Sequence, residues 1–164
     1  MAVTLTLAKS HLRVDGDAED TLIGTYLAAA QAWVENVTGK KLVRGSVTQS
    51  NSAFGLCVPL FWGPNPDDVT IRYLDSDGAE ATVTNGQLAM GRVYAPAGGW
   101  PSVYPSGSIE VSYTAGYETT PADLDNAVLL LVGEFYQNRE AGAASGLLMS
   151  AVTALCGPHR DVRV

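Results

Sequence analysis

The chain has 164 residues, with 10 Lys+Arg against 17 Asp+Glu, a formal net charge of −7, and 46% hydrophobic but only 16% charged residues. That length suits one domain, able to bury about 70% of its unfolded surface without a metal or disulfide staple. Phosphate binding demands clustered Lys and Arg, and the densest basic spots are Lys40, Lys41 and Arg44, then Arg160 and Arg163, which excludes a nucleic-acid reader.

An acidic wall still suits a protein that surrounds DNA without gripping it, because like charge repels. The charged fraction lies below the usual value of about 25%, which fits an exterior partly covered by partners. Cys57 and Cys156 lie far apart without metal-type spacing and read as small buried hydrophobes. The opening MAVTLTLAKSHLRVD has no basic region followed by an apolar one, so it does not read as a signal peptide. No run approaches the roughly 18 apolar residues of a membrane span. The expectation is a product that stays in the cytoplasm where it is made, with no membrane partner.

In chain order, residues 7–14 read as a short helix with Thr6 as its N-cap and Asp15-Gly16 as its stop. Residues 17–20 then place carboxylates where the dipole of the next helix favours negative charge. That helix spans about 19–38, with Ile23, Tyr26, Leu27, Ala30, Val34 and Val37 on one face and Gly39 as its end. From 45 to 117 the pattern changes to short strands at 69–74, 79–84, 91–95 and 108–117, with Asp77-Gly78 and Asn85-Gly86 as turn signals. Pro64 and Pro66 keep 61–68 out of a central strand, and 96–107 reads as an irregular loop.

Helix returns with Thr120 as N-cap, Pro121 at the first position and Asp123 supporting the first turn. Its face is Leu124, Ala127, Val128, Leu131 and Phe135, and it runs to about Glu140. The 128–132 stretch is apolar nearly all round, so it is enclosed by its own domain or by a neighbouring subunit. A small, flexible 141–146 link leads to a last helix at 147–155. The predicted fold class is α+β: amphipathic helices at both ends packed together, bracketing a β-rich insert of short antiparallel strands. The expected organisation is a single domain over 1–155, with helices in 7–38 and 120–155 and the insert at 45–117, followed by a flexible, charged tail at 156–164.

A search for chemistry returns little. His11 and His159 are the two histidines, and each reads as surface or partner-facing. There is no G-x-S-x-G elbow and no glycine-rich phosphate loop. Two His and two Cys do not supply a zinc site. The run Asp15, Asp17, Glu19, Asp20 resembles a calcium loop only in part, since Asp20 stands where that loop needs glycine; helix N-terminal charge accounts for it. No catalytic residue, metal or cofactor is assigned. Among the aromatics, Trp33 reads as packed. Trp62 and Trp100 lie in Pro/Gly-rich loops with Tyr104 and Tyr117 as further aromatics, and anchoring of protein partners is preferred to ligand stacking.

The segment LTLAKSHLRVDGDAEDTLIGTYLAAAQAWVENVTGKKLV resembles the opening of the head–tail connector (adaptor, head-completion) family of tailed bacteriophages. In that family a short helix patterned L-x-x-A-K-x-H-L-R-V-D precedes a long one ending in T-G. VPLFWGPNPDDVTIRYLDSDGAE is similar to the family's Pro-rich loop, strand and turn. SIEVSYTAGYETTPADLDNAVLLLVGEFYQNREA is similar to its V-x-Y-x-A-G-Y and P-x-D-L patterns. Only 51–66 departs from the expected regularity, which leaves strand registry over 45–66 open. The resemblance implies a structural virion protein of the neck, between capsid and tail: a homo-oligomeric ring, commonly twelvefold, beneath the portal protein. DNA passes through the lumen, and a stopper or tail-completion protein binds the far side. It further implies that the C-terminal segment docks onto the portal through Leu155, Pro158, His159, Arg160, Arg163 and Val164.

The residues read in the same direction, because a tail without core positions suits an arm that orders on binding. A closed ring needs two different faces per subunit, for which 128–132, Trp62, Trp100 and Tyr104 are candidates. A competing reading is a non-catalytic carbohydrate- or ligand-binding module using the loop tryptophans. A hydrolase with unrecognised carboxylate chemistry has the least support, lacking a base, metal or phosphate motif.

Overall fold

The computed structural model describes residues 3–105, 107–139 and 146–160. In chain order the elements are α1 (Leu5–Leu12), α2 (Asp20–Thr38), β1 (Gly45–Asn51), β2 (Cys57–Pro59), β3 (Asp67–Leu74), β4 (Glu80–Thr82), β5 (Gln87–Ala89), β6 (Arg92–Tyr94), β7 (Ile109–Ala115), α3 (Ala122–Gln137), α4 (Gly146–Cys156) and a 3-10 turn, Gly157–His159. This is the α+β arrangement expected, with helices at both ends and strands between. The chain forms two compact units, one from Met1–Val43 with Glu118–Val164 and one from Arg44–Tyr117.

In the helical unit, α1 begins two residues earlier than expected. Thr4, not Thr6, is the cap: its hydroxyl accepts from the Leu7 N–H at 3.3 Å. It ends at Arg13, whose left-handed backbone turns its N–H back onto the last carbonyls before Asp15-Gly16 is reached. Along α2, Ile23, Leu27, Ala30, Val34 and Thr38 are buried at three- and four-residue spacing, and Tyr26, Trp33 and Val37 flank them half-buried. Gly39 closes the helix at φ 71°, the conformation a glycine adopts without cost. Its N–H meets the Glu35 carbonyl at 2.8 Å.

In α3 the cap position falls to Pro121, and Thr120 is otherwise engaged. Its hydroxyl donates to the Leu42 carbonyl at 2.9 Å in a buried hydrogen bond. Leu124, Ala127, Val128, Leu131 and Val132 are buried on this helix. That corrects the idea that 128–132 lines a subunit boundary: Val128 and Val132 are 0% exposed within the single chain, and only Leu129 and Leu130 are half-buried. α3 packs on α2, α1 and α4. The link expected at 141–146 falls largely outside the described residues, and α3 ends at Gln137 rather than near 140.

In the β unit, one antiparallel sheet has the order β1-β7-β3-β4 and a smaller one the order β2-β6-β5. β1 pairs with β7 along its whole length, from Gly45 opposite Ala115 to Asn51 opposite Ile109. The core gathers Val47, Ile71, Ile109, Val111, Tyr113 and Ala115 from the large sheet, with Val58 and Val93 from the small one. β3 starts directly after Pro66, so part of 61–68 does enter a strand. It is tolerated because β4 covers only Arg72–Leu74, and the ladder to β7 shifts register between Asp67 and Thr70 around the left-handed Asp68. β2 and β5 are three-residue strands that carry too little alternation to be read from sequence.

A buried polar hub fastens the Pro-rich loop to this sheet. The Tyr113 hydroxyl donates to Gln49 Oε1 at 3.1 Å and accepts from the Trp62 N–H at 2.9 Å. Gln49 Oε1 also accepts from Phe61 N–H at 3.0 Å, and its Nε2 donates to the Pro59 carbonyl at 2.8 Å. Tyr113→Phe removes a hydroxyl that accepts from the part-buried Trp62 backbone N–H and donates to Gln49, so we expect a loss of about 1 kcal/mol in urea unfolding with an unchanged m-value.

Candidate functional site

The C-terminal segment is held on its unit more firmly than its sequence implies. Cys156, the first residue of the expected free tail, is buried at the end of α4, and burial pushes its thiol pKa up, with the Asp123 charge adding to the rise. The 3-10 turn that follows aims His159 at the first turn of α3, where its Nε2 lies 2.6 Å from Asp123 Oδ2. This contact, reinforced by the Leu124 N–H on the other carboxylate oxygen at 3.0 Å, holds the Asp123 pKa below the usual carboxylate range. Of the docking residues expected from sequence, Leu155 is half-buried, Pro158 and Arg160 are exposed, and His159 turns inward onto Asp123. Arg163 and Val164 lie outside the described residues.

The acidic run before α2 cross-links helices. Glu19 accepts from the Tyr136 hydroxyl and from Arg139 at 2.7 Å, and these two partners, Tyr136 first, lower its pKa. The Arg139 guanidinium sits 4.7 Å above the Tyr136 ring. Asp20 pairs with Lys9 of α1 at 2.5 Å. Among the described residues no three His, Cys, Asp or Glu side chains gather as a metal site.

In the β unit the loop aromatics separate. Trp62 is half-buried against the core and its backbone N–H donates to the Tyr113 hydroxyl. Trp100 is stacked on Phe54, centroids 4.5 Å apart and planes 3° from parallel, so one indole face is unavailable to a sugar or base. Tyr104 is 41% exposed. Phe54, Trp100, Pro101, Val103, Tyr104 and Pro105 border an open concavity of about 350 Å³. The structure thus brings Trp100 and Tyr104 together and leaves Trp62 elsewhere.

Apart from Tyr104, sequence reasoning missed the apolar surface of this unit. Of eight large hydrophobics exposed among the described residues, six (Leu56, Phe61, Leu88, Met90, Tyr94 and Tyr104) lie in Arg44–Tyr117. Leu56 and Met90 are 97% and 96% exposed. The signal was present: large apolar residues standing in turn-rich segments, Gly55-Leu56 and Met90-Gly91, where polar residues normally serve.

Known proteins place this arrangement. A family model described as phage gp6-like head–tail connector protein matches residues 2–59. A chain from the neck of an empty gene transfer agent particle, computed with C6 symmetry, superposes with a TM-score of 0.84 at 30% identity, covering 99% of this chain and 91% of that one. A chain from the virion of a native gene transfer agent particle gives 0.78 at 31%, covering 99% and 91%. One from the neck of the native particle, computed with C12 symmetry, gives 0.75 at 31%, covering 100% and 94%. Comparison with curated proteins finds no match. An α+β chain sharing its whole length with particle-neck components is a structural connector protein. It belongs to the phage gp6-like head–tail connector family.

The lowered Asp123 pKa carries a sign. A carboxyl depressed in the folded state adds stability that is present above its unfolded value and lost as pH falls through the folded one. Thermal melts of the wild-type chain and Asp123→Asn should therefore differ at pH 6, the wild type being more stable, and the gap should close below about pH 4.

Proposed function

We propose that this chain assembles with copies of itself into a closed ring in the neck of a phage-like virion. The ring joins the portal protein above to a stopper or tail-completion protein below and leaves an axial passage for DNA. The observation that carries this reading is the full-length likeness to neck chains reconstructed with C6 and C12 symmetry. The formal net charge of −7 suits a conduit that must not retain DNA. The role requires no covalent chemistry and no cofactor, and Glu19, Asp20 and Asp123 are each engaged with a hydrogen-bonding or cationic partner on another element.

Portal docking is assigned to the end of the chain, with the boundary moved. Removal of 156–164 would delete a core residue, Cys156, and the His159–Asp123 contact. Removal of 161–164 alone spares both. The shorter truncation should keep the wild-type melting temperature and circular dichroism yet lose co-sedimentation with portal rings. Undiminished portal binding by that truncated chain would count against the docking role.

A further inference from the structure

We propose that the tip of the β5–β6 hairpin, carrying Met90, seats in the Phe54–Trp100–Tyr104 concavity of the next copy of this chain. The proposal rests on the ring reading and names a contact that propagates the ring.

The hairpin tip is built against local preference. Ala89 pairs with Arg92, so Met90 and Gly91 form a two-residue turn, and both have positive φ, 50° and 69°. Turns of that kind favour Asn-Gly, because the left-handed region is costly for a residue bearing a larger side chain. Met90 accepts this conformation while 96% exposed, so its own fold gains nothing from the thioether. A strained, solvent-exposed apolar residue is explained by a partner that covers it.

The concavity supplies the complementary chemistry. Its rim includes the stacked Phe54–Trp100 pair and the exposed Tyr104, and its volume is about 350 Å³. Methionine is flexible enough to fill irregular gaps, and its sulfur is attracted to aromatic rings.

The ring reading supplies another copy of this chain as the occupant, and topology keeps a chain's own tip out of its own concavity. In the small sheet Cys57 faces Tyr94 and Pro59 faces Arg92. The Met90 tip therefore projects from the Pro59–Arg92 end. Phe54 precedes Cys57, and the 95–100 segment leaves from Tyr94, so the concavity approaches from the opposite end. A tip at one end of the sheet does not fill a socket at the other, but a neighbour's tip does. Knob and socket on different faces of one subunit form a heterologous contact, which closes into a ring when the rotation allows.

The test uses assembled necks containing the full chain with Met90→Cys and Tyr104→Cys on a Cys57→Ser background, treated with a short bismaleimide. A ladder of covalent multimers of this chain alone is expected, absent from either single-cysteine variant. In necks assembled from equal amounts of wild-type and Met90→Lys chains, the variant should be depleted by about tenfold or more, as for loss of an interface hot spot. Met90→Lys changes a side chain that touches little of its own subunit, so folding is retained and checked by circular dichroism. Equal incorporation of Met90→Lys, or cross-linking of the Met90→Cys chain to a different protein, overturns the contact and leaves the ring reading standing. Necks that lack the wild-type chain overturn both.

Discussion

Everything in this chain depends on its coming back to where it left. α2 and α3 form the centre of the helical unit, yet the whole β unit is inserted between them. Burial of their facing apolar stripes is available only if the insert delivers its two ends side by side. The pairing of β1 with β7 does this, since it sets Gly45 opposite Ala115, the first and last strand residues of the insert. Just outside that pair, Leu42 is 2% exposed and its carbonyl receives the Thr120 hydroxyl. A hydrogen bond across 78 residues of sequence thus closes the helical unit at the point where the chain departs and returns.

The two units treat their polar and apolar groups differently. In the helical unit the apolar face is consumed internally, and carboxylates bind helix to helix through Lys9, Tyr136, Arg139 and His159. Such partly exposed pairs each contribute little to stability, so their value is positional. The His159 contact in particular ties the 3-10 turn after α4 to the first turn of α3. In the β unit a small core supports loops that keep large apolar side chains in solvent. A solitary protein gains nothing from that exposure, whereas a subunit among copies of itself does.

The sequence by itself determined the helices, the end of α2 and the class of fold. Three- and four-residue spacing on α2 and α3 is a local periodicity, and Gly39 marks the α2 end by the conformation it alone adopts freely. It also carried the family, because ordered motifs survive along the chain. Tertiary structure alone decided where polar groups found partners. Thr120 looks like a helix cap in sequence and serves instead a carbonyl 78 positions away. His159 and Cys156 look like parts of a free tail, but one meets Asp123 and the other enters the core. The 128–132 stretch looked fit for a neighbour, and packing within the chain hides most of it. Trp62 and Trp100 looked alike in sequence, but only Trp100 stacks on Phe54 and shares a concavity with Tyr104. The physical reason is the same each time: spacing along the chain reports which side of an element is apolar, whereas satisfaction of a buried or clustered group depends on residues that only folding brings within reach.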